Sequence, residues 1–233
     1  MRKIKLLLKQ HVGAPCAAIV KPGDKVEKGT LVATPTGLGA NIFSSVYGTV
    51  EEVTDQAIVI QPDDEQPDKY IPIKKSDSKL EMVKEAGIVG MGGAGFPTDV
   101  KLQPKQKVDT LLINASECEV WLTSDTQEML NCSDDIVRGI EAVLKYTGIP
   151  KCVIGIENNK PECIDLLCQK TKDKPAIEVK ALPSVYGTGA ELILIEKCLG
   201  REVPHGGLPA DAGAIVMNVT SVSTLGKYLA TGM

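Results

Sequence analysis

Apolar residues in the N-terminal part of the chain come in short runs, AAIV at Ala17–Val20, TLVAT at Thr30–Thr34 and QAIVI at Gln56–Ile60. Between them stand PGD at Pro22–Asp24, KGT at Lys28–Thr30, TGLG at Thr36–Gly39, YGT at Tyr47–Thr49 and the acidic, proline-containing Gln61–Asp68. Short runs bounded by Gly, Pro and Asp are strands and turns, and nothing as far as Ile73 sustains a helical period. The pattern predicts a small all-β barrel or sandwich.

Beyond Leu80 the period changes. Lys79–Ile88 predicts a short helix that runs into a glycine-rich loop, and Val108–Ser116 predicts a strand. Thr123, Ser124 and Asp125 supply a helix start. A further helix from Ser133 sets Ile136, Ile140, Val143 and Leu144 on one face and ends at Gly148 and Pro150. Cys152–Asn158 is the next strand, and Pro161–Lys172 the next helix, with Pro161 in its first turn. Ala176–Ser184, Gly189–Gly200, Gly213–Val219 and Ser223–Ala230 continue the alternation. Strands joined by crossover helices make a mostly parallel sheet covered on both faces. The expected organisation is an all-β lobe over residues 1–75 and a Rossmann-like α/β domain over residues 76–233.

Composition narrows the function. At 233 residues, 43% hydrophobic and 24% charged, the chain belongs with ordinary globular proteins. Its net charge of −4 argues against nucleic acid, which needs a clustered basic surface. No apolar run approaches the ~18 residues that span a bilayer. The basic N-terminus MRKIKLLLKQ has too short an apolar part for a signal peptide. A cytoplasmic protein is expected, or one peripheral on the inner face of the membrane, without direct insertion. The seven cysteines form no CxxC, so neither a zinc ribbon nor a ferredoxin cluster is encoded and no metal site is expected. They read as buried free thiols.

The loop Gly90–Leu102, GMGGAGFPTDVKL, contains a formal GxGxxG at Gly90, Gly92 and Gly95. A dinucleotide fingerprint needs a strand before it and a helix after it. Here a helix precedes and Phe96-Pro97-Thr98 follows. Asp109 opens the next strand instead of ending it, so it is misplaced for gripping a ribose. With Gly93, four glycines in six residues still let a backbone approach a planar or phosphorylated ligand. From the loop alone, a ligand cradle and a tight structural turn both stand.

Three polar segments fall at predicted strand ends: Asn114–Glu119, Ser184–Glu191 and Val216–Ser221. Ligands of open α/β sheets bind at that end. Aromatics are scarce, at 3%, yet Phe96 lies in the loop and the single tryptophan, Trp121, adjoins the acidic segment. Either aromatic by itself would more often be a core side chain.

Taken together, GMGGAGFPTDVKL, INASECEVWLTSD, YGTGAE and GREVPHGGLPADAGAIVMNV resemble the RnfC component of the Rnf electron-transport complex. The likeness is greatest to the proline reductase-associated electron transfer protein, and the first three motifs are similar to those of the flavin-bearing NADH-oxidising subunit of complex I. QHVGAP and GDKVEKG extend it to the N-terminus. The resemblance implies an FMN- and NADH-binding domain. Gly90, Gly92, Gly93 and Gly95 would meet the flavin, Phe96 the nicotinamide or adenine, and Lys101 a phosphate. Asn114, Ser116 and Glu117 would bond the ribityl chain or ring edge. Gly189 and Glu191 belong to the third motif, and Met217, Asn218 and Thr220 to the phosphate-side turn. Complex I flavoproteins carry acids where this chain has Ser116 and Ala190, and the Rnf pattern has Pro and Tyr at Val120 and Trp121. The family continues into β-grasp and ferredoxin modules, so the chain is expected to be a fragment whose iron–sulfur clusters lie in the missing C-terminal part.

GDKVEKGTLVA and SSVYGTVEEV resemble the two halves of a biotinyl/lipoyl-like barrel-sandwich hybrid. The hairpin between them, PTGLGANIF, holds no lysine to carry a prosthetic arm. The expected function is an electron-input module that takes hydride from NADH onto FMN. It would pass electrons to an acceptor protein or membrane-complex subunits, with a proline reductase among the acceptors. No catalytic side chain is required. Cys118, flanked by Glu117 and Glu119, is a poor nucleophile because carboxylates raise a thiol's pKa. A non-catalytic assembly subunit without flavin, and a biotin- or lipoate-bearing carrier, are the alternatives. The intact mass of protein from a native host should equal that of the bare chain; a biotinyl or lipoyl adduct would establish the carrier reading instead.

Overall fold

In the computed structural model, which describes every residue except Met1, Lys74, Lys75, Asp77, Cys118, Val120 and Met233, the chain divides into two units. One comprises Met1–Asp99 with Thr231–Met233, the other Val100–Ala230. The first unit therefore includes the glycine loop as well as the β lobe expected over residues 1–75.

Seven strands build the first unit: β1 (Ile4–Leu7), β2 (Cys16–Ala18), β3 (Lys25–Val26), β4 (Leu31–Pro35), β5 (Ile42–Phe43), β6 (Gly48–Val53) and β7 (Ala57–Pro62). They pair antiparallel in two sheets, of order β1-β7-β6-β3 and β2-β4-β5. Val32, Ala33, Val50, Ile58 and Ile60 fill the space between inward faces, each at most 1% exposed. Burying a Val or Ile contributes about 1.5–3 kcal/mol, enough for a few such positions to dominate a small lobe. Strand β1 lies in what the sequence reads as a basic N-terminus. Ile4 and Leu6 are half-buried while Lys5 and Leu7 face out, so the lysine sits on the solvent side of a period-2 strand.

The hairpin joining β4 to β5 is tied down. Thr36 Oγ1 donates to Pro15 O at 3.0 Å, and a Cβ on Gly13, whose φ is +105°, would lie 2.1 Å from Leu38 O. A hairpin engaged in this way is held against the segment that precedes β2. Helix α1 (Lys79–Glu85) follows, its first turn capped by Ser78, whose hydroxyl accepts from Glu81 N. Helix α2 (Thr98–Lys101) comes after the glycine loop.

The second unit alternates as expected: β8 (Thr110–Ala115), α3 (Ser124–Asn131), α4 (Ser133–Thr147), β9 (Lys151–Glu157), α5 (Pro161–Thr171), β10 (Ile177–Leu182), α6 (Glu191–Leu199), β11 (Ala214–Asn218) and α7 (Val219–Thr231). Its four strands are all parallel, in the order β10-β9-β8-β11. Leu111, Leu112 and Ile113 are wholly buried, as befits a central strand covered on both faces. Helix α4 turns Ile136, Ile140 and Val143 inward and stops at Gly148 in a left-handed conformation, φ +72°. Among the described residues, no helix is long and apolar enough to cross a membrane.

The expectation of buried thiols holds for Cys16, Cys152, Cys163 and Cys198, and Cys118 lies outside the described residues. Cys132 is half-buried and Cys168 exposed. On α5, Cys163 and Leu167 share the inward face, and Cys168 follows one residue later, about 100° further around the helix.

Helices α4 and α7 meet backbone to backbone. A Cβ at Gly139 would lie 2.0 Å from Val222 O, and one at Gly226 only 1.8 Å from Asp135 O. Gly226→Ala should therefore lower stability in urea titration by about 3 kcal/mol, the upper end of ordinary overpacking costs. Gly37→Ala, where nothing lies within 4 Å, should stay within about 0.5 kcal/mol. Equal behaviour of the two variants would show that α4 and α7 do not depend on this close approach.

Candidate functional site

After β10 the chain crosses back to place β11 on the free edge of β8, so the order of the strands reverses between β8 and β11. A crevice at the carboxyl ends of such a pair is where open α/β sheets bind ligands. The register sets Asn114, near the end of β8, opposite Asn218, the last residue of β11. Both belong to the expected site.

Their amides are oriented by the protein. Asn114 Nδ2 donates to Gly189 O at 2.8 Å, and its Oδ1 accepts from Ser116 N at 3.1 Å. Asn218 Oδ1 accepts from Thr220 N at 2.8 Å in the first turn of α7, while its Nδ2 donates to Asp125 Oδ2 at 2.8 Å. Thr220 Oγ1 donates to the other oxygen of Asp125 at 2.9 Å. Burial pushes the Asp125 carboxyl above the ordinary aspartate range, against the lowering effect of these two hydrogen bonds. Sequence reasoning treated Asp125 only as part of a helix start. Its signal was an acid in a first helical turn beside a polar strand end.

Glu117 is 6% exposed, and its carboxylate accepts from Asp125 N (2.8 Å), Thr126 N (3.2 Å), Thr126 Oγ1 (2.6 Å) and Ser124 Oγ (3.4 Å). It closes the N-terminus of α3 with four donors, a role the sequence did not reveal. Ser116 Oγ donates to Gly155 O at 3.4 Å, and Met217 is buried in β11. Lys101 Nζ donates to Val216 O at 3.0 Å and lies 3.9 Å from Glu191 Oε1. Gly189, Glu191 and Lys101 thus join the same strand-end group as Asn114 and Asn218.

Two aromatics at this end of the unit are bare: Trp121 is 96% and Tyr186 88% exposed. Core burial of Trp121, the ordinary expectation for a lone tryptophan, does not occur. Its φ of +68° is one that side-chain-bearing residues rarely adopt. Asp109 lies at the opposite end of the sheet, where the Arg201 guanidinium holds its carboxyl below the usual range. Among the described residues, no group of three or more His, Cys, Asp or Glu could hold a metal ion.

The glycine loop belongs to the first unit. Val89 and Pro97 form an antiparallel bridge, and Gly90 N donates to Phe96 O at 2.8 Å. Residues 91–94 are exposed between them, and Phe96 is half-buried. Gly92 and Gly95 have φ of +75° and +68°, so their backbone conformation calls for glycine. A Cβ at Gly90 would make ordinary contacts of 3.6 Å with Phe96. Gly93 differs: its φ lies outside the left-handed range and nothing lies within 4 Å of its Cβ position. Neither strain nor a neighbour in the protein accounts for a glycine there.

Residues 83–227 match the family model described as the Nuo51 FMN-binding domain, and residues 1–75 the one described as the RnfC barrel sandwich hybrid domain. The C component of the proton-translocating ferredoxin:NAD(+) oxidoreductase complex of Clostridium ljungdahlii is 40% identical over 252 residues, covering 99% of this chain and 54% of the relative. The C component of the Na(+)-translocating ferredoxin:NAD(+) oxidoreductase complex of Acetobacterium woodii is 38% identical over 242 residues, covering 96% and 55%. The corresponding component of an ion-translocating oxidoreductase complex of Vibrio cholerae is 35% identical over 249 residues, covering 99% and 32%. The chain thus spans about half the length of the first two relatives. A chain of the NAD+-reducing [NiFe]-hydrogenase has the same fold, with a TM-score of 0.57 at 22% identity over 66% of this chain and 30% of that one. Carrying an RnfC barrel sandwich hybrid domain ahead of a Nuo51-type FMN-binding domain, the chain belongs to the RnfC family of Rnf electron-transport complexes.

Proposed function

We propose that this chain is the electron-input module of an electron-transfer complex, binding FMN and oxidising NADH by hydride transfer to that flavin. The observation that carries the reading is the in-register pair Asn114 and Asn218 at the strand reversal, inside a domain of the FMN-binding family. The chemistry that bound FMN supplies is acceptance of a hydride and release of its electrons one at a time. The protein's part is placement. Each asparagine amide has one N–H and one acceptor lone pair beyond the bonds described, a set suited to hydroxyls that both give and take hydrogen bonds. Lys101 brings positive charge for a phosphate. At Gly93 the backbone is open to the close approach of a flat ring.

Glu191, at the first turn of α6, is the group proposed to bond NADH. Ser116, Glu117, Gly189, Met217 and Thr220 are proposed to shape the surrounding wall, Glu117 through its cap on α3 and Met217 through its backbone. Phe96 offers a ring face for the nicotinamide or adenine. The proposed acceptors are iron–sulfur centres on further segments or partner subunits of a membrane complex, with the protein at the inner face of the membrane. The resemblance to the proline reductase-associated protein adds a proline reductase to the acceptors worth testing.

FMN titration should quench flavin fluorescence and also the emission of Trp121, the single tryptophan, which lies on the strand-end segment. Gly93→Val should weaken FMN binding at least roughly tenfold with an unchanged circular dichroism spectrum, since the free protein has room for the side chain. Glu191→Gln should slow NADH-to-ferricyanide turnover roughly tenfold to a hundredfold while affecting FMN affinity less, as expected for one hydrogen bond to a charged group. Wild-type affinity in Gly93→Val would reduce the glycine loop to a structural turn, and a wild type that binds no flavin would favour an assembly subunit. Glu117→Ala should act on stability, costing about 0.5–2 kcal/mol as the loss of a helix cap, read from thermal unfolding. No change in melting would mean that α3 does not need this carboxylate.

A further inference from the structure

His11 lies in the first unit, 6% exposed, in the segment between β1 and β2. Ala40 N donates to its Nε2 at 3.2 Å, Cys16 Sγ lies 3.3 Å from the same nitrogen, and Nδ1 lies 3.1 Å from Val12 O. An amide N–H only donates, so Nε2 is the bare nitrogen and Nδ1 carries the hydrogen directed at Val12 O. The Cys16 thiol can in turn donate to Ala40 O at 3.2 Å. One imidazole thereby joins the β4–β5 hairpin to the segment that carries it.

The same segment meets the glycine loop. Val12 N donates to Gly95 O at 3.3 Å, and a Cβ at Gly95 would lie 3.0 Å from His11 Cα and 3.1 Å from Gln10 O. The other end of the loop rests on the hairpin: a Cβ at Gly87 would lie 2.5 Å from Asn41 O, and Asn41 Nδ2 donates to Glu85 O at 3.2 Å. Residues 87–95 are therefore seated at both ends on one support, with the exposed turn 91–94 between. Asn41 and His11 provide the two seats, and the Ala40–His11 bond links them.

We infer that His11 is a positioning residue for the flavin site, holding the glycine loop in the shape the isoalloxazine meets. This rests on the proposed FMN-binding function, which supplies the loop's ligand. His11 touches no reacting atom; it acts through Val12, Gly95 and the hairpin. The lobe that resembles a carrier domain is thus the scaffold of the loop.

The test compares the full chain with His11→Leu, which removes both ring nitrogens, and His11→Gln, which returns an acceptor for Ala40 N. Amide hydrogen exchange over residues 87–97 needs no ligand, and FMN titration gives the second readout. His11→Leu should speed exchange over 87–97 and weaken FMN binding, each at least roughly tenfold, while β8 and β9 keep their protection. His11→Gln should recover most of both. If His11→Leu does not fold, Gly39→Ala serves, because its Cβ would lie 2.5 Å from His11 Cε1 and press the ring from the hairpin side. Unchanged exchange over 87–97, or a rise spread evenly over both units, overturns the positioning role. A wild type that binds no FMN overturns the flavin function and the flavin part of this inference, whereas the exchange result is decided without ligand.

Discussion

The second unit depends on the parallel pairing of β11 with β8, because only this return to the free edge of β8 creates the strand reversal. It is fixed at both ends by polar groups. At the amino ends, Arg201 grips Asp109 with two N–H groups at 2.8 and 3.1 Å and gives a third bond to Ala212 O at 3.1 Å. Asp109 N and Thr110 N both donate to Gly213 O, so the guanidinium clamps together the starts of the two strands. At the carboxyl ends, Asp125 bridges Asn218 and Thr220 to the first turn of α3. Between these two points the pairing is ordinary backbone ladder between apolar side chains. Both faces of β11 are apolar and buried, so its register is set by the polar contacts at the two ends and not by the side chains between them.

The polar groups at the strand ends are oriented by the protein itself, as the proposed flavin site would require before any ligand arrives. Asn114, Asn218 and Glu117 each hold protein partners, which removes rotamer freedom that a ligand would otherwise have to freeze. For Glu117 this goes to completion: four donors converge on two oxygens, and it holds the start of α3. For the asparagines it stops halfway, leaving one donor and one lone pair on each amide. Asp125 marks the cost. Two hydrogen bonds favour its charged form, yet burial outweighs them and its carboxyl is shifted upward.

The order and type of elements in the second unit were legible because each strand is a short apolar run and the helices between them carry local start or stop signals. Gly148 after α4 and Pro161 opening α5 are local signals that tertiary packing did not override. Asn114 and Asn218 were reached through motif resemblance and strand-end placement. Their register opposite one another was not, because strand order is a non-local property. Strand β1 was missed because lysines diluted a two-residue period only four residues long. The exposure of Trp121 was hidden for a similar reason: a lone tryptophan carries no periodic pattern, and its positive φ is invisible in sequence. Nor could composition show that Cys168 faces solvent while Cys163, five residues earlier on the same helix, is buried.

The β4–β5 hairpin shows why fold and function separate in the first unit. A carrier arm requires a tip free of other bonds, with a lysine to modify. Here Thr36 is bound to Pro15, Leu38 O fills the space beside Gly13, Ala40 is held at both N–H and C=O, and Asn41 supports Gly87 and Glu85. Releasing such a tip would break the two buried hydrogen bonds of Ala40 together with the others, and each unsatisfied buried group costs about 1–3 kcal/mol. Restoring a lysine alone would therefore not restore a carrier. The same bonds that oppose that role suit the hairpin to the support proposed for it, since a support must not swing. In a lobe this small, a rigid tip and a mobile tip are mutually exclusive uses of one backbone, and the contacts of His11 and Asn41 favour the rigid one.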